Sequence, residues 1–83
     1  MTDARLQDGF RAHQAGDLDH AERLYRDILT ADANNFDALY LLGYIHLQRG
    51  QWEQAERQID QALTINSRSI DALFNRARAI LFV

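Results

Sequence analysis

The chain has 83 residues, a formal net charge of −3, no Cys and no Pro, and all nine of its basic residues are Arg. Without Cys, disulfides and thiolate metal sites are excluded, and a net negative chain with scattered Arg residues argues against nucleic acid or an anionic membrane as the main partner. The chain lacks an apolar run of about 20 residues and an N-terminal signal pattern, so we expect a cytoplasmic protein.

A shift of the chain against itself by 34 residues reveals an internal repeat. The shift superposes Gly9 on Gly43, Gly16 on Gly50 and Ala21 on Ala55, and it superposes residues 37–40 on residues 71–74. Self-similarity at a fixed period in this range is typical of stacked supersecondary units. The repeat therefore predicts a single domain with a first unit of residues 2–35, a second unit of residues 36–69 and a half unit or capping helix of residues 70–83.

Each full unit is predicted to be a pair of helices joined at a glycine. In the first unit, the second helix has an apolar stripe with steps of three and four residues, which is one face of an α-helix. The members of this stripe are Leu18, Ala21, Tyr25 and Ile28. Gly16 stands where a helical hairpin needs a residue that tolerates positive φ, and Asp17 is expected to cap the helix that follows.

The first helix of the second unit, residues 36–49 with Asn35 as the expected cap, is apolar almost all round. Such a helix must be covered on several sides, and a stacked array covers it. Gly43 lacks a Cβ and therefore lets the two helices of the hairpin approach closely. His46 is interpreted as a packing histidine. The residues expected to maintain the repeat structure are Gly9, Gly16, Ala21, Gly43, Gly50, Trp52, Ala55 and Ala62.

The half unit departs from the pattern of the others. Ser69 is its expected cap, but Arg76 and Ala77 replace Leu42 and Gly43. A capping helix is one interpretation, since terminal repeats are polar on their outer face. Residues 80–83 are all apolar, however, which is unusual for a cap, so we expect the chain to be part of a longer one.

The second unit resembles the tetratricopeptide repeat. The resemblance lies in Leu42-Gly43, Gly50, Trp52, Ala55, Ile59 and Ala62-Leu63, which match the family's large apolar residue, Leu-Gly, Gly, aromatic and Ala positions at the same spacings. It implies an all-α fold, a right-handed superhelical array of antiparallel helix hairpins (an α-α solenoid) with five helices. Ala33 and Ser67 stand where the family usually has Pro.

The resemblance also implies that the first helix of each hairpin lines a concave groove that binds a protein or peptide. The matching residues are Asp3, Leu6, Gln7, Phe10 and His13, then Asp37, Tyr40, Leu41, Tyr44 and Gln48, then Asp71, Phe74, Asn75, Arg78 and Phe82. Aromatic side chains give much contact area at little entropic cost. We expect binding by Phe10, Tyr40, Tyr44 and Phe74, with His13, Gln48, Asn75 and Arg78 as polar groups. The alternative is that the aromatic rings only fill contacts between neighbouring helices.

No combination of residues in the sequence indicates catalysis. Residues 17–22 gather three carboxylates and a His. Oxygen and imidazole groups suit several metals, but acids in a first helical turn also complement the helix dipole, and Asp19 and Glu22 are expected to point along different sides of their helix. Nothing resembles a catalytic triad or a phosphate-binding loop. We therefore expect no enzyme, no metal and no cofactor.

Three functional hypotheses follow from the sequence. The first is a protein–protein interaction or scaffold module. The second is a set of N-terminal repeats that position a substrate for a larger enzyme such as a bacterial glycosyltransferase, since the sequence pattern of the repeats resembles that of repeats that precede such domains. The third is a structural unit that forms a homo-oligomer through its C-terminal helix, because residues 80–83 lack a hairpin partner.

Overall fold

A computed structural model of the chain describes residues 4–81. Within that range the chain forms five helices: α1 (Ala4–Gln14), α2 (Leu18–Ala31), α3 (Phe36–Gln48), α4 (Trp52–Ile65) and α5 (Ile70–Leu81). The predicted all-α array of helix hairpins is confirmed, with α1–α2 and α3–α4 as the hairpins and α5 as the single last helix. Of the predicted units, residues 2–3 and 82–83 lie outside the described range, and with them the groove candidates Asp3 and Phe82.

Three of the helices begin at the expected capping side chains. The backbone N–H of His20 donates to Asp17 Oδ1 over 3.2 Å, that of Ala38 donates to Asn35 Oδ1 over 3.0 Å, and that of Ala72 donates to Ser69 Oγ over 3.2 Å. Each bond satisfies a backbone donor that has no partner within its own helix. Local sequence therefore sets where α2, α3 and α5 begin.

Both hairpins turn at a glycine with positive φ. The φ angle is +84° at Gly16 and +73° at Gly50, a conformation that L side chains rarely adopt. After each of these residues the chain enters the second helix of the hairpin within two residues. The length of the turn therefore fixes α1 antiparallel to α2 and α3 antiparallel to α4.

Glycine also sets how closely the two helices of a hairpin pack. A Cβ on Gly9 would lie 2.6 Å from Cε1 of Tyr25, and a Cβ on Gly43 would lie 2.7 Å from Cγ1 of Ile59. Neither distance leaves room for a carbon atom, and Tyr25 and Ile59 are both fully buried. The two glycines thus allow a close approach that any other residue would prevent.

The core runs through the stack as two apolar clusters. The first joins α2 to α3, and the second joins α3 and α4 to α5. Ala21, Ala55 and Ala62 are fully buried, and the half-buried Trp52 packs against the second cluster. His46 is buried as expected, and its Nδ1 lies 2.7 Å from Gln51 Oε1. No described helix is long and apolar enough to cross a membrane.

The two hairpins are also joined by an ion-pair network between α2 and Arg49, the residue that directly follows α3. The Arg49 guanidinium bonds to the carboxylates of both Asp19 and Glu22. The expectation that these two acids point along different sides of α2 is therefore wrong, because three residues of separation place them on neighbouring positions of one face. Within residues 4–81 no group of three acidic or His side chains is arranged to hold a metal.

Candidate partner-binding groove

Of the eight residues that are expected to bind a partner, five meet in one cleft between α1 and α3. The cleft has a volume of about 420 Å³. Its lining consists of Phe10, His13, Gln14, Tyr40, Leu41, Tyr44 and Gln48. None of these side chains carries a fixed charge, so the surface combines aromatic rings with amide and imidazole hydrogen-bonding groups. This is the composition of a site that holds an apolar anchor and orients it by a few polar contacts.

A second cleft of about 540 Å³ continues the first along α1 and α3. It is lined by Leu6, Gln7, Phe10, Arg11, Asp37 and Leu41. Phe10 and Leu41 belong to both clefts, and the Phe10 side chain is 43% exposed. We call the two clefts together the groove. Arg11 and Asp37 give its second half one charge of each sign.

Sequence reasoning missed Gln14 and Arg11 among the residues that line the groove. A signal for Gln14 was present, because it lies one helical turn after Phe10 and aligns with Gln48 at the repeat interval. Arg11 offered no such signal, since it directly follows Phe10 on the helix and points to its own side of α1. Only the packing of α1 beside α3 shows that Arg11 borders the second cleft.

A hydrogen bond crosses the groove between the ends of α1 and α3. His13 Nε2 lies 2.6 Å from Gln48 Oε1. Because an amide oxygen only accepts hydrogen bonds, Nε2 carries the proton in this contact. The His13 ring also lies 5.4 Å from the Tyr44 ring at an interplanar angle of 58°. His13, Gln48 and Tyr44 thus hold one another in place at this end of the groove.

Tyr40 has an equivalent link to the last helix. Its hydroxyl accepts a hydrogen bond of 3.0 Å from Asn75 Nδ2, and its ring stacks on Phe36 with centroids 6.1 Å apart. Burial raises the pKa of Tyr40, and the negative charge of Asp71 raises it further. The Tyr40 hydroxyl therefore remains protonated well beyond neutral pH, and the ring is held from two sides.

The three remaining predicted residues lie on α5, and the structure places them differently from one another. Asn75 is only 4% exposed, because its amide sits against Tyr40 inside the stack. Phe74 and Arg78 are exposed. Both clefts of the groove are lined by α1 and α3, so contact between Phe74, Asn75 or Arg78 and a partner stays a prediction.

Comparison with known families adds a finding that agrees with this geometry. The family model for the tetratricopeptide repeat matches residues 12–81. The match begins in α1, includes the turns at Gly16 and Gly50, and ends at the last residue of α5. The sequence matches no curated protein at a significant level.

Proposed function

Because the chain belongs to the tetratricopeptide-repeat family, whose members are generally protein–protein interaction modules, we propose that it binds a peptide or a partner domain in the groove between α1 and α3. The observation that carries this proposal is the continuous, open surface around Phe10. The side chain of Phe10 is shared by both clefts and 43% exposed.

The size and chemistry of the groove support a peptide segment with an apolar or aromatic anchor. Each cleft falls within the range of about 300–1,000 Å³ that is typical of ligand sites. The anchor would lie against Phe10 and Tyr44, where no charged side chain must lose its hydration. Gln14 and Gln48 offer amide donors and acceptors that suit a peptide backbone.

The residues that line the groove differ in how much they also contribute to the stability of the fold. Tyr40 is bonded to Asn75 and stacked on Phe36, so replacing it by Ala would disturb both packing and binding. Phe10 lies on the exposed side of α1. Phe10→Ala is therefore the variant that best isolates binding, since Phe10 is more exposed than Tyr40 or Tyr44.

The test begins with a random peptide display library selected on the immobilised chain. We expect the selected peptides to bind Phe10→Ala at least tenfold more weakly than the wild type, because aromatic anchors dominate such interfaces. Isothermal titration calorimetry measures the affinity, and far-UV circular dichroism checks that helicity is kept.

Arg57→Ala is the matched control, because Arg57 is exposed on α4 and lines a separate cleft with Arg26 and His46. The control variant should bind as the wild type does. Selection of no peptide, or of peptides that lose affinity with Arg57→Ala and not with Phe10→Ala, would refute the groove as the binding site.

The other two hypotheses differ in the observations that support them. A role in positioning substrates for an attached enzyme rests on resemblance alone and stays a prediction. Self-association through the last helix is favoured by a specific observation, the exposed apolar side chains of α5.

A further inference from the structure

The side of α5 that faces away from the stack is apolar. Ala72, Asn75 and Ala79 are buried and mark the side that packs on the rest of the fold. On the opposite side lie six exposed apolar side chains: Ile70, Leu73, Phe74, Ala77, Ile80 and Leu81. The exposed fractions reach 80% for Ile70, 63% for Phe74 and 77% for Leu81. A contiguous patch of this kind marks an interaction site.

The patch is poorly suited to the kind of helix that covers α1 and α3. Those helices receive α2 and α4 closely because Gly9 and Gly43 leave no Cβ in the way. The equivalent position in α5 is Ala77, whose methyl group would occupy that space. The neighbouring Arg76 is already bonded to Asp60 of α4, over 2.5 Å. The occupant of the patch is therefore expected to pack at an ordinary helix–helix distance.

The spacing of the exposed residues is that of a coiled-coil seam. Ile70, Phe74, Ala77 and Leu81 are separated by four, three and four residues, the alternation that places apolar side chains along one line of a helix. Ala77 is the one small residue along this line. A second copy of α5, turned end to end, places Phe74 of one helix beside Ala77 of the other.

The charges beside the seam favour that antiparallel orientation. Asp71 and Arg78 are both exposed and lie seven residues apart, hence on the same edge of α5. Antiparallel packing brings Asp71 of each copy beside Arg78 of the other, which makes two opposite-charge contacts. Parallel packing would instead put this edge of the two copies on opposite sides of the seam, so that neither contact could form. The two helix dipoles also oppose each other in the antiparallel arrangement.

We propose that the chain forms a two-fold symmetric dimer through its α5 helices, packed antiparallel along Ile70, Phe74, Ala77 and Leu81. A two-fold axis makes the same patch serve on both copies. The dimer leaves the two clefts of the groove open, because both are lined by α1 and α3, but it covers Phe74 and Arg78, which are then not free to contact a partner.

Sedimentation equilibrium of the 83-residue chain over a wide range of concentrations tests the proposal. The apparent mass should rise from 9.6 kDa towards twice that value. Ala77→Glu, in the centre of the patch and exposed, should keep the mass at 9.6 kDa at every concentration without loss of helicity. Arg57→Glu on α4 is the control for added negative charge and should leave dimerisation unchanged.

A charge exchange tests the orientation. Asp71→Arg alone should raise the dissociation constant about fivefold, because it places two Arg residues side by side at each end of the seam. Adding Arg78→Asp in the same chain should restore the wild-type value. Failure of the second change to restore the dissociation constant would overturn the antiparallel arrangement.

Two further results would overturn the dimer itself. The first is a mass of 9.6 kDa for the wild type at all concentrations. The second is a monomeric chain that binds a labelled peptide of residues 52–65, the sequence of α4. That result would mean that the patch receives the second helix of a hairpin and not another α5.

Discussion

Replacing Tyr25 by Phe is expected to stabilise the protein. The Tyr25 side chain is fully buried in the first core cluster, with 0% of its surface exposed. Its hydroxyl oxygen has no hydrogen-bond partner among the described residues. The hydroxyl therefore loses its bonds to water on folding and gains none in return, which is the costly way to bury a polar group.

The expected gain follows from removing that cost. Burying an unpaired hydroxyl costs roughly 1–3 kcal/mol, and the Phe variant loses a small part of this in dispersion contacts of the missing oxygen. A net increase of about 1 kcal/mol in the free energy of unfolding is expected, which for a domain of this length raises the melting temperature by about 5 °C.

The pH dependence gives the prediction a second, independent signature. Burial raises the pKa of Tyr25 to about 12, from 10.0 for a free side chain. Between these two values the unfolded chain releases the proton and the folded chain keeps it, so stability is lost as the pH rises from 10 towards 12. The Phe variant lacks this loss, and only the smaller contribution of Tyr40, whose pKa is also raised, should remain.

Tyr40→Phe is the matched control, because it removes a hydroxyl that does have a partner. Asn75 would remain buried without its bond to that oxygen, so stability should fall by roughly 1–2 kcal/mol. Urea unfolding followed by circular dichroism at neutral and alkaline pH measures both variants. A lower free energy of unfolding for Tyr25→Phe than for the wild type at neutral pH would refute the reasoning. A higher free energy of unfolding for Tyr40→Phe would refute it as well.

Two more substitutions test the contacts within and between the hairpins. Gly43→Ala should lower the free energy of unfolding by about 1 kcal/mol. A Cβ only 2.7 Å from Cγ1 of Ile59 costs roughly 1–3 kcal/mol, and the better helix propensity of Ala offsets about 1 kcal/mol of that cost. A variant as stable as the wild type in urea would mean that α3 and α4 can move apart to accept the methyl group without loss of stability. Burial acts to raise the pKa of Glu22, but hydrogen bonds from Arg26 and Arg49 outweigh it and hold the pKa below 4.5. Stability contributed by this ion pair is therefore present at neutral pH and lost as the pH falls below 4.5, and Arg49→Gln should reduce that acid-induced loss. Equal acid sensitivity of the two proteins in urea titrations would contradict this assignment.

The parts of the fold that the sequence predicts well are those set by local chemistry. Capping by Asp17, Asn35 and Ser69 depends only on residues within one turn of the helix start, and the turns at Gly16 and Gly50 depend on one φ angle each. The repeat interval then places equivalent helices in equivalent positions. Element order and hairpin pairing follow without knowledge of any distant contact.

Contacts between hairpins were harder to predict. The repeat interval indicates on which side of a helix a residue lies, but it does not indicate which side chain of the next hairpin that residue contacts. The sequence favours a helix-dipole role for Asp19 and Glu22, yet both bind Arg49 of the next hairpin. The family resemblance predicts Asn75 at the groove surface, yet its amide is buried against Tyr40. Each outcome depends on which of several polar groups a side chain meets once the helices are packed.

Two of the hydrogen bonds that the repeat interval could not predict lie at equivalent positions of the repeat. Their position affects which partners the groove is expected to bind. The contacts of His13 with Gln48 and of Tyr40 with Asn75 each join the first helices of successive units, across 35 residues of sequence. Polar side chains thus tie α1 to α3 and α3 to α5. A partner that displaced either bond would loosen the spacing of the helices that contact it, and its affinity would be reduced by that cost. The groove is therefore expected to favour partners that approach Phe10 and Tyr44 from the open side and leave these two bonds in place.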